Sequence, residues 1–184
     1  MRTTSIAGYR VFAIYILLTF YCFGAAMVNE FPEYYGWSEA GKYMSSADFA
    51  TWLTYTSHIR IPILVLPMIV TTIFALLQLR YLPAQISRAS LWIVLGCHAI
   101  AWASTFIFQV PIEMQLAEGG FNADAMRRLL LTDWLRKCCL FVEVLTVLYM
   151  INRLIQAMII KTGAGFASRK ESKTSPLIQG GESV

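Results

Sequence analysis

"IPILVLPMIVTTIFALLQLRYLPAQISRASLWIVLGCHAIAWASTFIF" (Ile61–Phe108) consists of two long apolar runs joined by one short polar turn, RYLPAQISR. A helix rises about 1.5 Å per residue, so a bilayer core of about 30 Å is crossed by about 20 apolar residues. Each run is long enough, and the pair reads as a transmembrane hairpin. Pro62 and Pro67 lie inside the first run and should kink it, because proline cannot donate the helical hydrogen bond and clashes with the preceding turn.

Working outward, two further segments have the same character, giving four spans at roughly 9–29, 50–80, 88–114 and 126–160. The N-terminal run, MRTTSIAGYRVFAIYILLTFYCFGAAMV, is too long for a signal-peptide core and has no A-x-A cleavage site, so it reads as a retained first span. GWSEAGKYMSSAD is a longer loop. AEGGFNAD is a short glycine-rich one, in which Asn122 or Asp124 is placed to cap the fourth helix. From Thr162 the chain turns polar and rich in glycine and serine, the composition of a disordered tail. The expected architecture is an all-α, four-helix transmembrane bundle over residues 1–161 with a disordered tail over 162–184.

Composition agrees. The 184 residues are 57% hydrophobic and 14% charged, against about a quarter charged in soluble domains. The net charge of +4 does not point to nucleic acid: the basic residues sit at span ends and in the tail, and no basic patch interleaved with aromatics occurs. Arg2, Arg10, Arg80, Arg88, Arg153 and the tail cations collect on one side, whereas Lys42, Arg127 and Arg128 lie among acidic residues on the other. Lysine and arginine favour the cytoplasmic side, so both termini are expected there (N-in/C-in). Cys22, Cys97, Cys138 and Cys139 form no C-x-x-C and lie in apolar stretches, which reads as packing rather than a disulfide framework.

Polar residues recur at helical spacing within the apolar spans. The first span carries Tyr15, Thr19, Cys22, Ala26 and Asn29. The second carries Thr51, Thr54 with Tyr55, and His58. The third carries His98, Trp102, Thr105, Gln109 and Glu113, and the fourth Asp133, Arg136, Leu140 and Glu143. Counting depth from the turns brings Glu30, His58, Arg60, Gln109, Glu113, Asp133 and Arg136 to one level in the non-cytoplasmic half. A charge facing lipid at mid-helix costs at least about 2.5 kcal/mol, so such groups should face inward and pair. Two readings follow. In one, Arg60 or Arg136 forms structural ion pairs with Glu113 or Asp133. In the other, Glu30, His58, Glu113 and Asp133 hold a divalent metal (Fe, Mn or Zn), as bundles assemble such sites from several helices, while Glu113, Asp133, Arg136 and Arg60 act as acid–base and anion-orienting groups. The Glu-x-x-His signature of di-iron bundles is absent. His58 and His98 differ in depth by about twelve residues, about 18 Å of rise, too far to clamp one haem. His98 falls instead near the depth of Glu143, where a buried hydrogen bond is the simple expectation.

The stretch TFIFQVPIEMQLAEGGFNADAMRRLLLTDWLRK, together with NEFPEYYGW and DFATWLTYTSHIRIPILVLP, resembles a family of four-span bacterial membrane proteins. That family carries a Q-V-P-x-H turn, a G-F-D loop, N-W-x-R, and H-x-x-R-I on the second span. It is more loosely similar to anthrone-oxygenase-like membrane proteins. The likeness covers roughly 27–140 and falls on His58, Arg60, Gln109, Pro111, Trp134 and Arg136. Glu30, Glu113 and Asp133 stand where the pattern has His, His and Asn, and Glu143 where it has Arg. The resemblance implies a bacterial inner-membrane protein and an oxygenase-type reaction on a hydrophobic substrate. The alternatives are a small non-catalytic subunit or assembly factor of a larger membrane complex, and a proton or ion translocator.

Overall fold

The computed structural model describes residues 6–174, with side chains described throughout except at 30–32 and 161–174. Among the described residues four apolar helices are long enough to cross a membrane: Ile6–Val28, Ser46–Tyr81, Arg88–Gly119 and Ala123–Ile160. We call them the first to fourth spans. They form an antiparallel bundle in which the first span packs along Leu66–Tyr81 of the second and the third along the fourth, while Ser46–Arg60 of the second meets Val110–Gly119 of the third. Among the described residues there is no strand. Large apolar side chains such as Leu17, Leu66, Trp92, Phe106 and Ile159 are exposed all round the bundle, as a lipid-facing surface requires.

The helix starts follow local capping chemistry. Ser45 accepts from the Asp48 N–H at 3.2 Å and its hydroxyl donates to the Asp48 carboxylate at 2.6 Å, so the second span opens with a reciprocal cap. Ser87 accepts from the Ser90 N–H at 3.2 Å. Asn122 accepts from the Ala125 N–H at 2.9 Å, which makes it, rather than Asp124, the cap of the fourth span.

Three wider π-helical turns interrupt the bundle: Asn29–Tyr34, which continues the first span, Ile61–Val65 in the second and Thr105–Gln109 in the third. Prolines account for two of them. Pro67 cannot donate to the Ile63 carbonyl, nor Pro111 to that of Ile107, and each ring crowds the carbonyl four residues back. Both carbonyls lie inside the widened turns. The kink expected at Pro62 and Pro67 therefore takes the form of a π turn.

Three apolar clusters divide the interior. Phe12, Tyr15, Ala75, Leu82, Ile86, Leu91, Val147 and Met150 close the end that carries the turn between the second and third spans. Tyr34, Trp37, Phe49, Leu53, Ile112, Leu116 and Leu129 close the opposite end, here called the loop end. Cys22, Ala26, Leu64, Met68 and Leu140 lie between them. One polar layer sits in each gap. The helix of the fourth span continues through Thr174, where a structureless segment was expected from Thr162; residues 175–184 lie outside the described part.

The second span is 36 residues long, about 54 Å at the helical rise, against a hydrocarbon core of about 30 Å. Its uncharged run, 61–79, matches that core by itself. Residues 46–60 therefore project beyond the hydrocarbon, and Arg60 sits at the boundary.

Candidate functional site

The polar layer near the loop end is built from the second, third and fourth spans and the connection after the first. Arg60 grips Glu113 with both terminal nitrogens, at 3.0 and 3.1 Å, and donates to the Ser57 hydroxyl at 2.8 Å. Its guanidinium lies over the Trp37 ring, 4.4 Å from the centroid. The Tyr34 hydroxyl lies 2.9 Å from Glu113 Oε1 and 3.3 Å from Gln109 Oε1, with one proton to share between them. Gln109 donates to Thr132 at 3.3 Å. On the fourth span, Asp133 pairs with Arg136 and lies 3.5 Å from the Lys137 ammonium, which sits 4.4 Å from the Trp134 ring centroid. The Arg136 guanidinium also acts electrostatically on the Tyr34 hydroxyl. Tyr34 therefore joins the Arg60–Glu113 pair to the Asp133–Arg136 pair. Burial, then the Glu113 carboxylate, pushes the Tyr34 hydroxyl well above its usual range and keeps it a proton donor.

Arg60, Glu113, Asp133 and Arg136 are thus brought together as expected. His58 is not. It is exposed, and no hydrogen bond or ion pair to Glu113 or Asp133 forms. The stripe to which it was assigned, Thr51, Thr54, Tyr55 and His58, faces outward as a whole, and Phe49, Leu53, Ser57, Arg60 and Leu64 face inward instead. The physical reason is twofold. Thr51 and Thr54 donate to the carbonyls of Ala47 and Ala50, each at 2.9 Å, so their hydroxyls need no partner across the bundle. This part of the helix also stands beyond the hydrocarbon, where an outward polar face is solvated. The side chain of Glu30 lies outside the described residues. Among the described residues no group of three His, Cys, Asp or Glu side chains is placed to hold a metal ion. Of the proposed ligands that are described, His58 faces away and Glu113 and Asp133 are each already ion-paired.

Glu33, Tyr34, Trp37 and Lys137 belong to the site and carried no sequence expectation. The first three lie in a connection without clear periodicity. Lys137 had a usable signal, its position four residues after Asp133.

A lateral groove of about 430 Å³ opens beside this layer, lined by Phe20, Tyr21, Gly24, Ala25, Val28 and Asn29 of the first helix and its extension, by Glu33, and by Ile59, Arg60, Ile63 and Leu64 of the second span. Its volume lies in the range of small-molecule sites. The floor is hydrocarbon and one end is polar. At that end Asn29, 5% exposed, has no hydrogen-bond partner for either side-chain atom, and Glu33 Oε2 and Arg60 Nε are likewise buried and unmatched. Arg60 Nε and Glu33 Oε2 are 3.9 Å apart, too far for a hydrogen bond. Burial holds the Glu33 carboxyl above its usual range; Arg60 opposes the rise and Glu113 adds to it.

The second polar layer lies deeper. Glu143, 2% exposed, is within 3.2 Å of His98 Nε2. It accepts from Tyr15 at 2.7 Å and from Thr19 at 3.3 Å. His98 Nδ1 is 3.1 Å from the Thr72 hydroxyl, to which Trp102 donates at 2.9 Å. His98 and Glu143 are adjacent as expected, but the 3.2 Å approach lacks the geometry of the expected hydrogen bond; the cluster of Cys22, Ala26, Leu64, Met68 and Leu140 separates them from the loop-end layer. No protein-family model matches the chain, and neither a curated protein nor a solved structure shows significant similarity to it.

Proposed function

We propose that this integral membrane protein takes an amphiphile laterally from the bilayer, laying its tail in the groove between the first and second spans and its head at Asn29, Glu33 and Arg60. The observation that carries this reading is the set of buried, unmatched polar atoms at one end of an otherwise apolar groove. Burying a polar atom without a partner costs about 1–3 kcal/mol, so such a set is a ready receptor for a polar head. The depth suits the same reading: Arg60 lies at the hydrocarbon boundary, and the wall from Asn29 to Phe20 runs about 13 Å inward.

The bias of lysine and arginine supports placing the loop end on the non-cytoplasmic side. The resemblance to four-span bacterial proteins supports an inner membrane, and a hydrophobic substrate of the kind it implies would use this groove. Chemistry on that substrate would fall to Glu113 and Tyr34, which adjoin Arg60. A second reading, a subunit or assembly factor whose ion pairs fix helix packing, is favoured by one observation: Arg60–Glu113 and Asp133–Arg136 already satisfy each other inside the chain.

The test uses Gly24. A Cβ added there meets no atom within 4 Å, so Gly24→Leu fills the groove without disturbing its walls. Mass analysis of lipids co-purified with the wild-type protein should show an enriched amphiphile that Gly24→Leu loses and that the outward-facing variant His58→Ala retains. Equal lipid content in all three, with a large protein partner at fixed stoichiometry, would replace this reading by the subunit one.

A further inference from the structure

The polar end of the groove also indicates what kind of head it takes. Arg60 Nε can only donate, and an ionised Glu33 oxygen can only accept. Their 3.9 Å separation is too long for a direct bond but leaves one oxygen atom room to lie within hydrogen-bond distance of both. A hydroxyl is the group that satisfies both at once, accepting from Arg60 and donating to Glu33. Asn29 adds one unmatched donor and one unmatched acceptor, a pair that a second hydroxyl answers in the same way.

The charge balance points the same way. Among the described residues Arg60 is the one cation lining the groove, and its charge is already shared between Glu113 at 3.0 Å and Glu33 at 3.9 Å. A carboxylate or phosphate head would meet a spent cation and two carboxylates. An ester carbonyl would satisfy Arg60 and leave Glu33 without a donor.

We infer that the groove selects neutral, hydroxyl-bearing amphiphiles, such as a monoacylglycerol or a long-chain alcohol, over anionic or purely ester-headed ones, with Glu33 as the residue that sets the preference. This rests on the groove reading above and narrows it to a class of ligand. A groove built for anionic lipid would gather unpaired cations at its polar end; this one places the half-buried Glu33 carboxylate there, with Oε2 enclosed.

Three probes with the same oleoyl chain isolate the head: monooleoylglycerol, oleate and methyl oleate. Binding of radiolabelled monooleoylglycerol to the full-length protein in detergent is followed by scintillation proximity, with the other two as competitors. One hydrogen bond to a charged group corresponds to roughly a tenfold change in affinity or more. Monooleoylglycerol should saturate a single site, and oleate and methyl oleate should each compete roughly tenfold less well. Glu33→Ala should bring oleate level with monooleoylglycerol or ahead of it, which loss of a merely structural contact would not do. Gly24→Leu should abolish binding of all three while the protein still elutes as a single species. Oleate competing as well as monooleoylglycerol on the wild-type protein, with binding still lost in Gly24→Leu, would overturn the hydroxyl preference and leave the groove standing. Absence of saturable binding by any probe, or binding indifferent to Gly24→Leu, would overturn the groove as well.

Discussion

Glu143 is buried, with Tyr15 and Thr19 donating to one of its oxygens and His98 Nε2 3.2 Å from the same oxygen. Glu143→Leu would leave a phenol and a hydroxyl buried together without their acceptor, each loss costing about 1–3 kcal/mol, and would remove the carboxylate beside His98. Polar contacts between membrane helices average nearer 0.6 kcal/mol, because the reference state in lipid finds other partners. The expected loss is therefore about 2–3 kcal/mol in denaturant unfolding from mixed micelles. Glu143→Gln keeps an acceptor oxygen for Tyr15 and Thr19 and should cost about 1 kcal/mol. Equal losses in the two variants would mean that charge rather than acceptor geometry holds the layer. Glu33 behaves differently. Its carboxyl is raised from 4.5, chiefly by burial, so the folded protein binds this proton more tightly than the unfolded chain does. By linkage the stability it contributes is fully present below about 4.5 and falls as pH rises through the folded value. Thermal unfolding across that window should show a downward slope, and Glu33→Gln should flatten it. The same residues show what sequence could reveal. The inward stripe Tyr15, Thr19, Cys22, Ala26 and Asn29 is buried as read, because mid-bilayer polar groups have nowhere else to go. His58 was misplaced because the same logic was applied to a part of the helix that stands outside the hydrocarbon. Tyr34 and Trp37 gave no signal, since no periodicity governs a connection.

At the scale of elements, the π turns shape the groove. Pro67 leaves the Ile63 carbonyl without its usual donor, and the Tyr21 hydroxyl of the first span donates to it at 2.9 Å. A backbone defect in one helix thus becomes a bond between two, on the wall of the groove. The two effects should be coupled. Tyr21→Phe should cost about 0.5–1.5 kcal/mol in the wild-type protein. In a Pro67→Ala background, residue 67 regains an N–H able to serve the same carbonyl, and the cost of Tyr21→Phe should fall to about a third or less. A double-mutant cycle measures the difference directly. Additive losses would show that Tyr21 stabilises the helix pair through ring packing alone. The prolines were visible in the sequence and a kink was the correct inference. That a neighbouring tyrosine answers the freed carbonyl was not visible, because it depends on the rotation of one helix against another.

For the molecule as a whole, the bundle is closed at the loop end by two connections that interlock. The fourfold organisation was legible because lipid forces apolar length onto every span. The interlock was hidden, because it depends on close approach between segments far apart in the chain. Gly120, between the third and fourth spans, has φ 78° and ψ −166°, a region open essentially to glycine alone. A Cβ there would stand 2.5 Å from the Ser46 backbone oxygen. Phe121 fills the space over Gly41, where a Cβ would come within 2.0 Å of its ring, and meets Phe49 edge-on at 5.4 Å. The turn after the third span is therefore seated against the connection between the first two, with Phe121 packed on the cluster that includes Tyr34 and Trp37. Gly120→Ala carries the cost of the backbone conformation, about 1–3 kcal/mol, together with a clash against backbone that cannot swing aside. The expected loss exceeds about 2 kcal/mol in thermal unfolding. Gly119→Ala is the matched control: nothing lies within 4 Å of its added Cβ, and alanine at a helical glycine contributes about 0.5–1 kcal/mol. The two neighbouring substitutions should move the melting temperature in opposite directions. If Gly120→Ala instead behaves like Gly119→Ala, the two connections do not hold each other, and Tyr34 and Trp37 must be kept over the ion pairs by their own packing alone.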